Sequence, residues 1–219
     1  ILYNAKTGYY YLMVSYGWLE DSYNVRIGRS KSINGPYVDS RGRDLRDTSN
    51  ESFDTGVKIV GSYRFEGDEG YVGTGHSAFL QDGKDTFIIH QARPSEDIYW
   101  SQLQVRKVYW TKDGWPVVSP ERYAGEKKIN VQKEQIVGEW EIIAFPRFDD
   151  GQQQSRKLKL QKDGSLLGKK GSWQLKGSIL ELRIGQETYE LQVGAAWDWE
   201  NWKSTIIMTG LSKDGTAVW

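Results

Sequence analysis

The spacing of aromatic and β-branched residues constrains this chain more than any other feature. They come in runs of six to nine residues cut by glycine-rich turns, with nothing that reads as a long amphipathic helix. In the first half the runs are Tyr9–Tyr16, Tyr23–Ser30, His76–Gln81, Thr86–Gln91 and Gln102–Trp110. Asn34-Gly35-Pro36, Asp82-Gly83-Lys84 and Asp113-Gly114 punctuate them as turns. Such a pattern predicts an all-β protein.

An internal repeat sharpens this. Gly8 to Ser15 leads to Val25-Arg26-Ile27-Gly28-Arg29-Ser30-Lys31 and then to Asn34-Gly35-Pro36-Tyr37-Val38. Gly83 to His90 leads to Val105-Arg106-Lys107-Val108-Tyr109-Trp110 and then to Asp113-Gly114-Trp115-Pro116-Val117. Each unit reads as an inner apolar strand, a loop, a Val-Arg strand, and a turn into a proline-containing edge, where no ladder N–H is required. The offset of 75–80 residues suits propeller blades with large loops. Two or three blades cannot close a ring, so the expectation is a piece of a larger polypeptide. Ile1-Leu2-Tyr3 at one end and Thr216–Trp219 at the other have the character of interrupted strands.

The texture changes near Glu126-Lys127-Lys128. From Val137 onward the strands are short and alternate strictly: Gly138–Phe145, Lys157–Leu160, Ser172–Leu175, Ile179–Ile184, Glu187–Val193 and Thr205–Leu211. Period-two alternation means one buried and one wet face. The tight turns Lys162–Ser165 and Lys176-Gly177 make consecutive strands hairpin neighbours. The expected organisation is therefore a propeller part over residues 1–128 and a small antiparallel β-barrel over residues 129–219, closed to hide its edges.

Composition removes several classes of function. The chain carries 29 basic and 29 acidic side chains, divided evenly as 17 and 17 before residue 129 and 12 and 12 after it. No nucleic-acid partner is expected without a basic field. No apolar run reaches the roughly 20 residues that span a bilayer, so no membrane partner is expected either. With no cysteine there is no disulfide, thiolate metal site or cysteine nucleophile.

Few side chains are candidates for chemistry. Glycosidic hydrolysis needs two carboxylates, about 6.5–9.5 Å apart for inversion or about 5–5.5 Å for retention. Glu20-Asp21, beside Trp18, are the tempting pair, and Asp68-Glu69 and Glu96-Asp97 resemble them; each also reads as a solvated acidic loop. His76, in Gly73-Thr74-Gly75-His76-Ser77, follows small residues that allow close backbone approach, so it could be a ligand or a substrate contact as well as a structural histidine. His90 ends an apolar strand and reads as packing plus a hydrogen bond. Trp18 and Trp100, next to polar loops, are better candidates for stacking on sugar rings than Trp110 or Trp115.

Tyr9–Tyr16, then Tyr23–Ser30, then Gly35-Pro36-Tyr37-Val38-Asp39 resemble family 43 glycoside hydrolases, above all arabinan endo-1,5-α-L-arabinosidases. Gly73–Ala78 and Leu103–Trp110 extend the resemblance to about residue 125, and the remainder is similar to the β-barrel that follows the propeller in such enzymes. The resemblance implies the last blades of a five-bladed β-propeller, followed by a barrel, from a secreted or periplasmic inverting glycosidase. Its partners would be arabinan or arabino-oligosaccharides and the missing N-terminal half of the propeller. The family's catalytic acids, two aspartates and a glutamate, fall before Ile1, so no catalytic residue maps here and this chain alone should be inactive. His76 matches the family's histidine ligand to a single axial Ca2+, whose other ligands are mostly water. Tyr16, Trp18 and Arg93 would line one side of the cleft. Two alternatives stay open: the same family acting on xylo-oligosaccharides or arabinofuranosyl side chains, and a non-catalytic carbohydrate-binding module with the barrel as its working part. Endo or exo action is open as well, because Tyr16-Gly17-Trp18 departs from the common loop.

Overall fold

Alternation sets the strands of this protein, and glycine turns set their ends. The computed structural model describes residues 1–49 and 55–219. A first sheet runs in chain order through β1 (Leu2–Asn4), β2 (Tyr9–Tyr16), β3 (Asn24–Ser30) and β4 (Val57–Val60), all antiparallel. A second antiparallel blade follows: β5 (Tyr63–Arg64), β6 (Tyr71–Asp82), β7 (Asp85–Pro94), β8 (Gln102–Trp110) and β9 (Pro116–Arg122). After the short α1 (Lys133–Ile136) come β10 (Gly138–Ile142), β11 (Ala144–Phe145), β12 (Gln153–Gln154), β13 (Arg156–Leu160), β14 (Ser165–Leu166) and β15 (Lys169–Lys176). The chain ends with β16 (Ile179–Ile184), β17 (Glu187–Asp198), β18 (Lys203–Ser212) and β19 (Ala217–Val218).

The last sheet is a barrel closed by one shared strand. β10 pairs with β13 on one side, and β11 pairs with β19 on the other. Only Ile143 separates β10 from β11, and it exchanges backbone hydrogen bonds of 3.0 and 2.9 Å with Trp219. Residues 138–145 thus serve both ends of the sheet and leave few ladder groups unpaired.

Two buried clusters hold the molecule together, and they do not follow chain order. One fills the barrel with Leu160, Leu180, Leu182, Leu191 and Ile136. The other joins Tyr11, Ile27, Ile59 and Ile88 of the blades to Ile143, Phe145, Ala217 and Trp219 from the barrel's closing strands. Each fully buried Leu, Ile or Phe contributes about 1.5–3 kcal/mol by leaving water. β12 goes further, pairing parallel to β5 as an added edge strand of the second blade.

Two strand expectations need correction. Tyr37-Val38 does not form the outer strand of the first blade; Val38 makes only isolated bridges to Arg29 and Asp44, and β4 takes that place. The run expected at His76–Gln81 begins instead at Tyr71, because register shifts between Val72 and Gly75 and between Gly75 and Ala78 absorb the small residues into β6. Pro116, by contrast, opens β9 at the sheet edge, where its missing N–H costs nothing.

Candidate functional site

The end of β2, the turn after it, the start of β6 and the end of β7 meet in one corner. Gly73, at φ +59°, makes the meeting close: a Cβ there would lie 2.6 Å from the Leu19 carbonyl oxygen and 3.2 Å from Arg93 Cδ. A Cβ on Gly75 would fall 2.5 Å from the Tyr23 ring. The Gly73 amide donates to the Asp21 carbonyl at 3.0 Å, and Ser62 Oγ donates to the same oxygen at 2.7 Å. Small residues before His76 are therefore required by packing against the 17–23 turn.

Tyr16 ends β2, Trp18 lies in the turn after it, His76 is on β6 and Arg93 near the end of β7, the elements that adjoin here. The Tyr16 hydroxyl shares a 3.0 Å hydrogen bond with Thr55 Oγ1, and its ring lies 5.3 Å from the Arg26 guanidinium. Trp18 is 66% exposed, with its amide bound to Ser22 Oγ at 2.8 Å. Arg93 pairs across from Val72 and donates to the Ile98 carbonyl. His76 is exposed, sits at φ +50° on the bulged β6, and donates its amide to Ser15 Oγ of β2 at 3.0 Å. Such a φ is uncommon for a residue with a Cβ. Among the described residues no group of three acidic or imidazole ligands includes His76.

The other candidates are placed differently. Asp21 is exposed and its carboxylate accepts from the Ser22 amide within its own turn. Glu96 and Asp97 are exposed on the loop before β8, and Asp97 caps the Tyr99 amide at 3.3 Å. Trp100 is 63% exposed, whereas Trp115 is buried under the Arg29 guanidinium, 4.2 Å from its ring. His90 is fully buried: Nδ1 donates to the Gln91 carbonyl at 2.8 Å and Nε2 accepts from Arg106 Nε at 3.2 Å. Burial and the adjacent Arg106 pull His90 down to about 3, so it is neutral and structural.

A second polar cluster lies at the seam between β9 and the β17–β18 hairpin. Carboxylate oxygens of Glu121, Asp198 and Glu200 lie within 4.8 Å of one another. Burial pushes Glu121 up to about 7, against the pull of Arg106 and with the help of Glu200 and Asp198. Arg122 reaches Glu200 at 2.8 Å. Sequence reading missed this cluster, since nothing local connects Glu121 to residues 77 and 79 positions later; the aromatic-acidic string Trp197–Trp202 was its only signal.

Two antiparallel blades joined to a closed barrel define an all-β protein built from propeller-type sheets and an appended barrel. Residues 2–116 match the glycosyl hydrolases family 43, and residues 120–219 match its C-terminal lipocalin-like domain. The chain belongs to glycosyl hydrolase family 43. It is 32% identical over its whole length to an extracellular endo-α-(1→5)-L-arabinanase 2 from Bacillus subtilis, and to the same degree to an extracellular endo-α-(1→5)-L-arabinanase from Thermotoga petrophila. It spans about half of these relatives, 51% of each. The fold matches a family 43 glycoside hydrolase from Bacillus licheniformis with a TM-score of 0.91 at 31% identity, covering 100% of this chain and 53% of that one. The crystal structure of the Thermotoga petrophila endo-1,5-α-L-arabinanase gives 0.90 at 32%, with the same coverage. The sheets seen here are therefore the last blades of the family's propeller and the barrel that follows them.

Proposed function

We propose that this chain is the C-terminal half of an extracellular inverting glycosidase that cleaves α-1,5-linked arabinofuranose in arabinan. The observation that carries this reading is the end-to-end similarity to two extracellular endo-arabinanases, at 32% identity over about half of each. Residues 1–128 supply propeller blades and residues 129–219 the barrel. Tyr16, Trp18 and Arg93 line one side of the cleft, with the exposed Trp18 face stacking on furanose rings. His76 gives one nitrogen to an axial Ca2+, whose charge would hold nearby carboxylates ionised. The proton-handling acids lie on the segment that precedes Ile1.

The second blade supports a partner of that kind. On one of its faces Ala78, Ile89 and Val105 stand in register, flanked by Leu80 at 44% and Leu103 at 76% exposure. A sheet apolar on both faces calls for cover on both, and the remaining blades of the ring would provide it. Hydrolysis of linear arabinan tests the whole reading. The 219-residue chain alone should show no turnover, and the chain extended by its preceding half should release arabino-oligosaccharides. Turnover by the chain alone, or release from xylan and not from arabinan by the extended form, would overturn it.

A further inference from the structure

The seam between blade and barrel contains more than packing. A cavity of about 720 Å³ opens there, within the roughly 300–1,000 Å³ usual for ligand sites, which favour junctions of this type. Phe65, Trp140 and Ile206 line one part of it. Glu121, Asp198 and Glu200 line another and bring their carboxylates within 4.8 Å. Trp219, 4% exposed, lines the same cavity, and its indole N–H has no hydrogen-bond partner among the described residues. A buried donor of that type calls for an acceptor.

The turn between β17 and β18 adds an aromatic surface beside the cavity. Trp202 falls between the lining residues Asn201 and Lys203, is 73% exposed at φ +52°, and stands edge-on to Trp199 with ring centroids 6.0 Å apart. Cations already attend two of the three carboxylates: Arg122 lies 2.8 Å from Glu200 and Lys203 3.9 Å from Asp198. What the cavity still asks for is a neutral ligand with many hydroxyl donors, some acceptor capacity for Trp219, and apolar ring faces.

We propose that this seam is a second saccharide-binding site, separate from the Trp18 corner, that holds a pentofuranosyl chain by its hydroxyls and ring faces. The identity of the sugar rests on the substrate class proposed above. Its role would be to keep a polymer on the enzyme while the cleft works elsewhere along it, a gain through effective concentration.

Titration of α-1,5-linked arabinohexaose into the 219-residue chain, with EDTA present and binding followed by calorimetry, tests the site. Saturable binding is expected. Trp202→Ala should weaken it about tenfold, Glu200→Gln about threefold, and Trp18→Ala should leave seam binding in place. Circular dichroism checks each variant's fold, and Glu200→Gln decides if Trp202→Ala does not fold. Absence of binding, equal binding by both seam variants and the parent, or binding only when Ca2+ replaces EDTA would each overturn the proposal. None of these results bears on the arabinan hydrolysis assay, so the substrate reading fails or survives separately.

Discussion

The two Val-Arg strands carry the same residues to the same depth and satisfy them in opposite ways. Arg26 on β3 and Arg106 on β8 are both fully buried. Each has a carboxamide two positions earlier, on the same strand face: Asn24 Oδ1 accepts from Arg26 Nε at 3.1 Å, and Gln104 Oε1 accepts from Arg106 Nη2 at 2.7 Å. Beyond that they diverge. Arg26 donates to the Arg147 carbonyl at 2.6 Å and lies 3.8 Å from Asp150, which also accepts from buried Lys58 at 2.6 Å. Arg106 hydrogen-bonds neutral groups only, namely His90, the Tyr63 hydroxyl, and the carbonyls of Ser119 and Pro120, with the Trp219 ring 5.1 Å away and the Glu121 carboxyl near enough to feel its charge. One blade balances its cation with charge borrowed from the segment before β12. The other surrounds its cation with dipoles, mostly its own. Burial pulls Arg26 down to about 10, still cationic at neutral pH, so the borrowed carboxylate is needed throughout the physiological range.

The contrast can be broken most sharply at Arg106. Arg106→Met would leave Gln104, the Tyr63 hydroxyl and the two carbonyls without their donor, at a cost of about 3–5 kcal/mol in urea unfolding. A loss below about 1 kcal/mol would mean the neutral cage adds little. Asp150→Asn comes next, at about 2–4 kcal/mol, because it strips compensation from Lys58 and Arg26 together. The double change Asp150→Leu with Lys58→Met should recover part of that loss, as replacing a buried pair by apolar groups often does.

The smallest effect depends on pH and sharpens the second blade alone. Glu121 is raised in the folded state from 4.5 to about 7, so its contribution is complete below pH 4.5 and is lost as pH rises through 7. His90 is lowered from 6.5 to about 3, so its contribution is present above pH 6.5 and is lost as pH falls toward 3. The two slopes oppose each other between those ranges. Glu121→Gln should stabilise the chain by about 1 kcal/mol at pH 8 and by nothing at pH 4, read from urea midpoints at each pH. A constant gain across pH would show that the carboxyl is not strained by its seam.

Much of this fold was legible because alternation and turns agree. β2, β8 and β16 fall where their runs predict, with Tyr9, Tyr16, Gln102, Trp110, Ile179 and Ile184 as their limits. β4 was missed for a physical reason. Val57-Lys58-Ile59-Val60 is buried at all four positions, and the buried Lys58 hides the apolar run that would have marked it. The second half of β17 was missed in the same way, since Gly194-Ala195-Ala196 lacks bulk while pairing in full with β18. Of the site, spacing alone singled out Gly73–His76 and the exposed tryptophans. The close approach of Gly73 to Arg93 is a matter of strand register, which no short window contains. The seam carboxylates were further out of reach, being joined only where β9 lies against a hairpin.

The pairing of β12 with β5 has a consequence for how such a molecule can be divided. Because a strand that follows the barrel's opening turns back to finish a blade, cutting the connector near residue 125 would nick the chain without releasing either part. Lineages that exchange appended modules freely would find this one sewn in, and a shuffled replacement would have to rebuild a sheet as well as a surface.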